Sequence, residues 1–162
     1  MNKLTKNMSL TAVLVALNVV LGTFISIPLG VIRAAPMQHL INVLGAVLTG
    51  PWVIVQALIS STIRILMGTG TVFSYPGSVI GAALAYVLYH YSKKLPLAAV
   101  GEVIGTGVIG ALSIYPLMLI LDLDTNIYMV MALAFLVSSI FGASVSYFIL
   151  LQLEKRGLLK RL

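Results

Sequence analysis

Gln38, His39 and Asn42 stand close together in an otherwise apolar run. Gln38 and Asn42 are four apart, and His39 and Asn42 three apart, so on a helix all three project from overlapping faces. They offer donors and acceptors suited to a small polar heterocycle. The plainer alternative is helix capping and interhelical hydrogen bonding. Arg64 ends another apolar run, one turn before Gly68. It reads as a site or site-supporting group, against snorkelling to headgroups or pairing with an acid. Glu102, within Gly101-Glu102-Val103-Ile104-Gly105, is the one acidic residue inside an apolar run. A charge there is costly, so it either contacts a substrate or serves structure or coupling. Phe73, Tyr75 and Tyr115 can present ring faces to a flat heterocycle, against the alternative of an interfacial aromatic belt. Tyr75-Pro76-Gly77 reads as part of a glycine-rich loop able to act as a lid.

Other chemistry is poorly served. There are no cysteines, which excludes disulfides, thiolate nucleophiles and cysteine metal sites. Gly68-Thr69-Gly70-Thr71 lacks the lysine of a phosphate-binding loop and the spacing of a dinucleotide fingerprint. His39 and His90 fall near opposite faces, so no metal site is expected and no cofactor is implied. No Ser-His-Asp set is evident within one membrane leaflet. Sparse polar groups in an apolar lining suit binding better than bond-breaking.

The elements that must position these residues are membrane spans. Of 162 residues, 60 % are apolar and 9 % charged, against about 25 % charged in soluble domains. The mean hydropathy is +1.10. Lipid is therefore the solvent for most of the chain. The net charge of +6 does not point to nucleic acid, because the basic residues flank apolar runs and form no stripe. The runs are residues 8–27, 37–49, 52–67, 77–91, 97–121 and 127–153. The first has a basic start like a signal peptide, but the runs after it make it a retained span. Breaks fall at Pro28, Gly30 and Pro36, at Gly50-Pro51, across residues 68–76, at Lys93-Lys94-Pro96 and at residues 122–126.

Basic residues set the orientation. With six spans and a cytoplasmic N-terminus, Lys3, Lys6, Lys93, Lys94, Lys155, Arg156, Lys160 and Arg161 lie inside, eight of the ten. Arg33, Arg64, Asp122 and Asp124 fall at or near the outer face. A five-span alternative, kinked at Pro51, would put seven of the ten outside. Small residues such as Gly101/Gly105 and Gly142-Ala143-Ser144 let helices approach closely. The expectation is an all-α integral membrane protein: one domain over residues 1–162, a compact six-helix bundle with both termini cytoplasmic. About 120 residues in spans leave no room for a nucleotide-binding domain, so any energy source must sit on another chain.

The segments Pro36-Met37-Gln38-His39-Leu40-Ile41-Asn42-Val43, Gly50-Pro51-Trp52, Gly68-Thr69-Gly70-Thr71 with Tyr75-Pro76-Gly77-Ser78, and Gly101-Glu102-Val103-Ile104-Gly105-Thr106-Gly107 resemble the ThiW family. These are substrate-binding S-components of energy-coupling-factor (ECF) transporters. The resemblance covers nearly the whole chain. It implies import, across a prokaryotic cell membrane, of the thiazole precursor of thiamine, hydroxyethylthiazole. It also implies partners: a transmembrane T-component and two ATPase subunits. Substrate would bind near the outer face under mobile loops, and the bundle would topple to deliver it inward. The resemblance also makes Ala12 and Ala16, in Ala12-Val13-Leu14-Val15-Ala16, a face that packs on the T-component. On this reading Gln38, His39, Asn42, Arg64, Tyr75, Glu102 and Tyr115 are the substrate-binding candidates. Rival readings are an S-component for another vitamin or precursor (thiamine, biotin, riboflavin, a queuosine or pyrimidine precursor), a small membrane enzyme acting on lipid, and a structural subunit without ligand.

Overall fold

A computed structural model describes residues 2–29 and 32–159. Lys160 and Arg161 of the basic tail lie outside the described residues. Helix α1 (Lys3–Phe24) leads into a two-stranded antiparallel hairpin, β1 (Ile27–Leu29) and β2 (Ile32–Ala34), with Ile27 opposite Ala34. Then come α2 (Pro36–Leu48), α3 (Trp52–Leu66) and α4 (Ser74–Ser92). Next is one continuous rod made of α5 (Leu95–Glu102), a π-helical segment (Val103–Gly110) and α6 (Ala111–Ile120). A short 3₁₀ turn (Thr125–Ile127) precedes α7 (Tyr128–Lys155). The described residues thus form six helical rods and one small hairpin.

Three stretches are long and apolar enough to cross a membrane: Leu4–Phe24, Leu95–Ile120 and Thr125–Lys155. Helices α2 and α3, with 13 and 15 residues, are about 20 Å long at 1.5 Å per residue, short of the roughly 30 Å hydrocarbon layer. Local chemistry explains the shortness of α2. Pro36 opens it near its first position, where the missing N–H costs nothing. Thr49 Oγ1 donates to the Gly45 carbonyl at 2.8 Å, and Gly50, at φ +63°, turns the chain. Pro51 then precedes α3.

Sequence reading and structure differ at three places. The hairpin occupies the segment read as an irregular Pro/Gly break. Its three-residue strands are too short to leave a period-two pattern. Tyr75-Pro76-Gly77 is not a loop but the first turn of α4, where a proline is tolerated. The rod from residue 95 to 120 is wound as a π-helix in its middle, which hydrophobic periodicity does not report.

The rods alternate in direction. One apolar cluster joins Ala34, Phe73, Ile114, Met118, Met131 and Ala134 at the hairpin end. Another joins Val43, Leu95, Ala98, Ala143 and Leu150 towards the opposite end. The C-terminal part of α1 reaches the hairpin end, where Thr23 and Thr69 hydroxyls meet at 3.1 Å. The start of α1 with Lys6, the turn at Lys93 and Lys94, and the end of α7 with Lys155 and Arg156 therefore share the end away from the hairpin. Asp122 and Asp124 precede the Ile127–Tyr128 packing at the hairpin end.

Glycines permit the closest approaches. A Cβ on Gly105 would lie 2.6 Å from Gly81 Cα, so the π segment and α4 touch backbone to backbone. A Cβ on Gly142 would lie 2.1 Å from the Pro36 carbonyl, so α7 sits directly against the start of α2. Gly142→Val therefore forces these helices apart. We expect it to cost about 1–3 kcal/mol, the range for overpacking a core, and to lower the melting temperature in detergent. Leu112→Ala, at a side chain 63 % exposed, serves as the control and should melt like the parent. A Gly142→Val protein that also melts like the parent would contradict this packing.

Candidate functional site

The first turns of α2 carry Gln38, His39 and Asn42 inward, and all three are buried. Glu102, at 0 % exposure, meets them from the end of α5. Its Oε1 accepts from His39 Nδ1 at 2.8 Å, from Asn42 Nδ2 at 3.1 Å and from Thr106 Oγ1 at 3.1 Å. Thr106 is four residues on, in the π segment, and its hydroxyl is also 2.8 Å from the Gly77 carbonyl. Asn42 Nδ2 also donates to the carbonyl and hydroxyl of Ser78, both at 3.2 Å. Glu102, at the end of α5, and Thr106, in the π segment, both lie against Gly81 of α4. A Cβ on Gly81 would be 2.1 Å from Thr106 Oγ1 and 2.8 Å from Glu102 Oε2. π-helical insertions recur at functional sites.

A carboxylate oxygen can only accept, so His39 Nδ1 carries the hydrogen that faces Glu102. The other ring nitrogen, Nε2, faces Ser138 Oγ on α7 at 3.3 Å. The Ser138 hydroxyl is equally close, at 3.3 Å, to the Phe135 carbonyl. Gln38 is fixed in the same way. Arg64 NH1 donates to Gln38 Oε1, and a guanidinium can only donate, so the amide is turned with its NH2 away from Arg64. Arg64 NH2 also reaches the Thr69 carbonyl at 3.4 Å. Its side chain is 1 % exposed.

Gln38, His39 and Ser138 line a cleft of about 20 Å³ with Ala34, Ala35, Thr71, Ser74, Ala134 and Phe135. That volume holds about one water. A ring-sized ligand enters only if the 71–74 segment or Phe135 gives way. Behind the α7 wall lies a wide apolar groove of about 630 Å³, lined by Ile27, Val130, Leu133 and Val137 among others.

The candidates from sequence therefore divide. Gln38 and His39 reach the cleft. Asn42 and Glu102 stand behind His39 and hold it. Arg64 stands behind Gln38 and donates to its amide oxygen and to the Thr69 carbonyl. Tyr75 and Tyr115 lie elsewhere. Tyr75 shares a hydrogen bond of 2.9 Å with Thr62 and lines a separate apolar recess with Val72, Pro76 and Pro116. Tyr115 is 45 % exposed and packs edge-on against Tyr128. Ala12 and Ala16 are exposed on α1.

Ser138, Ser78 and Thr106 escaped the reading of the sequence. Thr106 was detectable, since it stands four residues after the one intramembrane acid. Ser138 carried no signal, as serines are common in membrane helices. Ser138, His39 and Glu102 form a chain that the sequence could not show, because α2, α5 and α7 converge only in the fold. Ser138 lies mid-helix, where backbone N–H groups are spent on the helix ladder and supply no oxyanion donors.

With this geometry in place, comparison with family models decides the family. The model of ThiW, the thiamine-precursor transporter protein, matches residues 8–156, most of the chain. The chain belongs to the ThiW family. A comparison with curated proteins gave no match, nor did one with solved structures. Family membership and the apolar helices make it a membrane protein, in a family of transporters for a thiamine precursor.

The network makes a direct prediction. Glu102→Ala strands the His39 Nδ1 donor in the interior, while Asn42 keeps Ser78 and Thr106 keeps the Gly77 carbonyl. We expect a loss of about 3 kcal/mol, read as a lower melting temperature in detergent. Glu102→Gln keeps an acceptor at this position and should lose less. Parent-like melting of Glu102→Ala would remove the carboxylate from its central place.

Proposed function

We propose that this ThiW protein is the substrate-binding S-component of an ECF-type importer for hydroxyethylthiazole. In this reading the chain makes six spans with both termini cytoplasmic. The hairpin end faces outward, and Gln38 and His39 take the ligand near that face. A T-component and two ATPase subunits supply the driving force. Hydrolysis belongs to those partners in this reading, as the described residues form helical rods, one hairpin and short turns.

The observation that carries the reading is the buried wall formed by His39, held by Glu102, beside Gln38, held by Arg64. A transporter that only bundled helices would not need a carboxylate spent on orienting an imidazole beside a cleft. The thiazole alcohol is small, flat and neutral. It needs one or two hydrogen bonds and an otherwise apolar lining, which suits this wall. Support for the orientation comes from the basic residues gathered at the end away from the hairpin, as the positive-inside rule requires of a cytoplasmic face. Support for the coupling face comes from Ala12 and Ala16. They are exposed on α1 with the spacing that lets another helix approach.

Calorimetric titration of the detergent-purified protein tests the substrate. Tight binding of hydroxyethylthiazole, with thiamine, riboflavin and biotin much weaker, is expected. A folded protein that ignores the thiazole would overturn the assignment, and a hit among the controls would name another vitamin. His39→Ala should weaken thiazole binding tenfold or more, because it removes an acceptor from the wall and leaves Glu102 without its partner. Ala12→Leu and Ala16→Leu should block cellular uptake yet spare binding by the purified protein. Normal uptake by both variants would sink the coupling face.

A further inference from the structure

We infer that the cleft reads the charge state of the ligand ring, accepting a neutral heteroaromatic with a nitrogen lone pair and rejecting its permanently cationic, N-alkylated form. The inference rests on the proposal that Gln38 and His39 bind the ligand.

It follows from how the two wall residues are locked. Arg64 donates to Gln38 Oε1. The amide cannot flip without pointing its NH2 at a guanidinium, which has no acceptor to offer. Gln38 therefore shows the cleft a donor. Glu102 accepts from His39 Nδ1, so in the neutral ring His39 Nε2 is the acceptor. Ser138 can leave Nε2 to a ligand by turning its hydroxyl to the Phe135 carbonyl, which is equally near. The wall is thus one donor beside one acceptor. It matches a ligand with a ring nitrogen lone pair and a hydroxyl hydrogen.

A quaternised ring has lost that lone pair. It would turn an alkyl group and a positive charge toward an amide N–H backed by an arginine. The acid that could compensate does not face the cleft, since His39 lines the cleft and stands between it and Glu102. Thiazolium compounds, thiamine among them, lack the lone pair that a free thiazole keeps. A precursor importer built this way would ignore the finished vitamin.

The test is calorimetric titration of the purified full chain with hydroxyethylthiazole and with its N-methylthiazolium salt. The cation is expected to bind at least tenfold more weakly. Comparable affinity, within threefold, would overturn the inference while leaving the thiazole assignment intact. Failure of the neutral thiazole itself to bind would overturn the site reading and this inference with it. Gln38→Leu separates lone-pair reading from simple bulk, because it keeps a similar volume without the donor. The neutral thiazole should then weaken toward the level of the cation, so that their ratio approaches one. A ratio as large as in the parent would mean that the site excludes the added methyl by size, and the inference fails. Gln38→Glu gives a second reading. It still accepts from Arg64, presents an oxygen in place of the amide N–H, and should shift the preference toward the cation.

Discussion

A carboxyl group with no solvent exposure sits in the middle of this bundle, and polar groups from four helices connect through it. Moving an ion out of water costs several kcal/mol even after relaxation, and in a lipid-embedded chain water cannot easily make up the difference. Glu102 offsets part of that cost with three donors on Oε1, drawn from α2 and from its own rod, while Oε2 has no hydrogen-bond partner among the described residues. Each donor is tied onward. His39 reaches α7 through Ser138, Asn42 reaches α4 through Ser78, and Thr106 reaches α4 through Gly77. One charge thereby fixes the mutual register of α2, α4, α5 and α7.

That register requires backbones to come closer than ordinary side chains allow. Gly81 and Gly105 bring α4 against the π segment, and Gly142 brings α7 against α2. The π winding belongs to the same solution. It falls in a stretch rich in glycine, Val103-Ile104-Gly105-Thr106-Gly107-Val108-Ile109-Gly110, whose Gly105 touches the Gly81 backbone. In lipid there is little hydrophobic drive to bring helices together. Close packing and buried hydrogen bonds therefore do here what apolar burial does in a soluble core.

How much of this is legible in the sequence depends on the range of the interaction. Gln38, His39 and Asn42 are legible because helical spacing gathers them within α2. Glu102 is legible as an anomaly, a lone acid in an apolar run. Its partner is not, because His39 lies 63 residues away and no local rule joins them. Ser138 is one serine in a long helix and announces nothing. Tyr75 and Tyr115 were attractive as stacking platforms, but an aromatic ring near a membrane face has the same local sequence whether it faces a ligand or lipid. The six apolar runs, by contrast, fall on the six rods to within a few residues, since length and hydropathy are properties of each segment alone. The hairpin and the π segment depend on pairing and crowding between segments, which composition does not encode.

Arg64 shows how the same logic extends from holding a fold to shaping a site. A lysine in its place would offer a compact ammonium able to favour one acceptor, whereas the planar fork of an arginine reaches two at once. NH1 holds the Gln38 amide in the cleft wall and NH2 reaches the Thr69 carbonyl in the segment between α3 and α4. That segment is also tied back to the Arg64 carbonyl through the backbone N–H groups of Thr69 and Gly70. It continues to Thr71 and Ser74, which form another side of the cleft. Gly22 on α1 leaves the space for the guanidinium, since a Cβ there would stand 3.0 Å from Arg64 Cζ. A single buried cation thus joins the cleft wall to the segment that, with Phe135, closes the cleft. A ligand that pulls on the Gln38 amide therefore pulls, through one side chain, on that same segment.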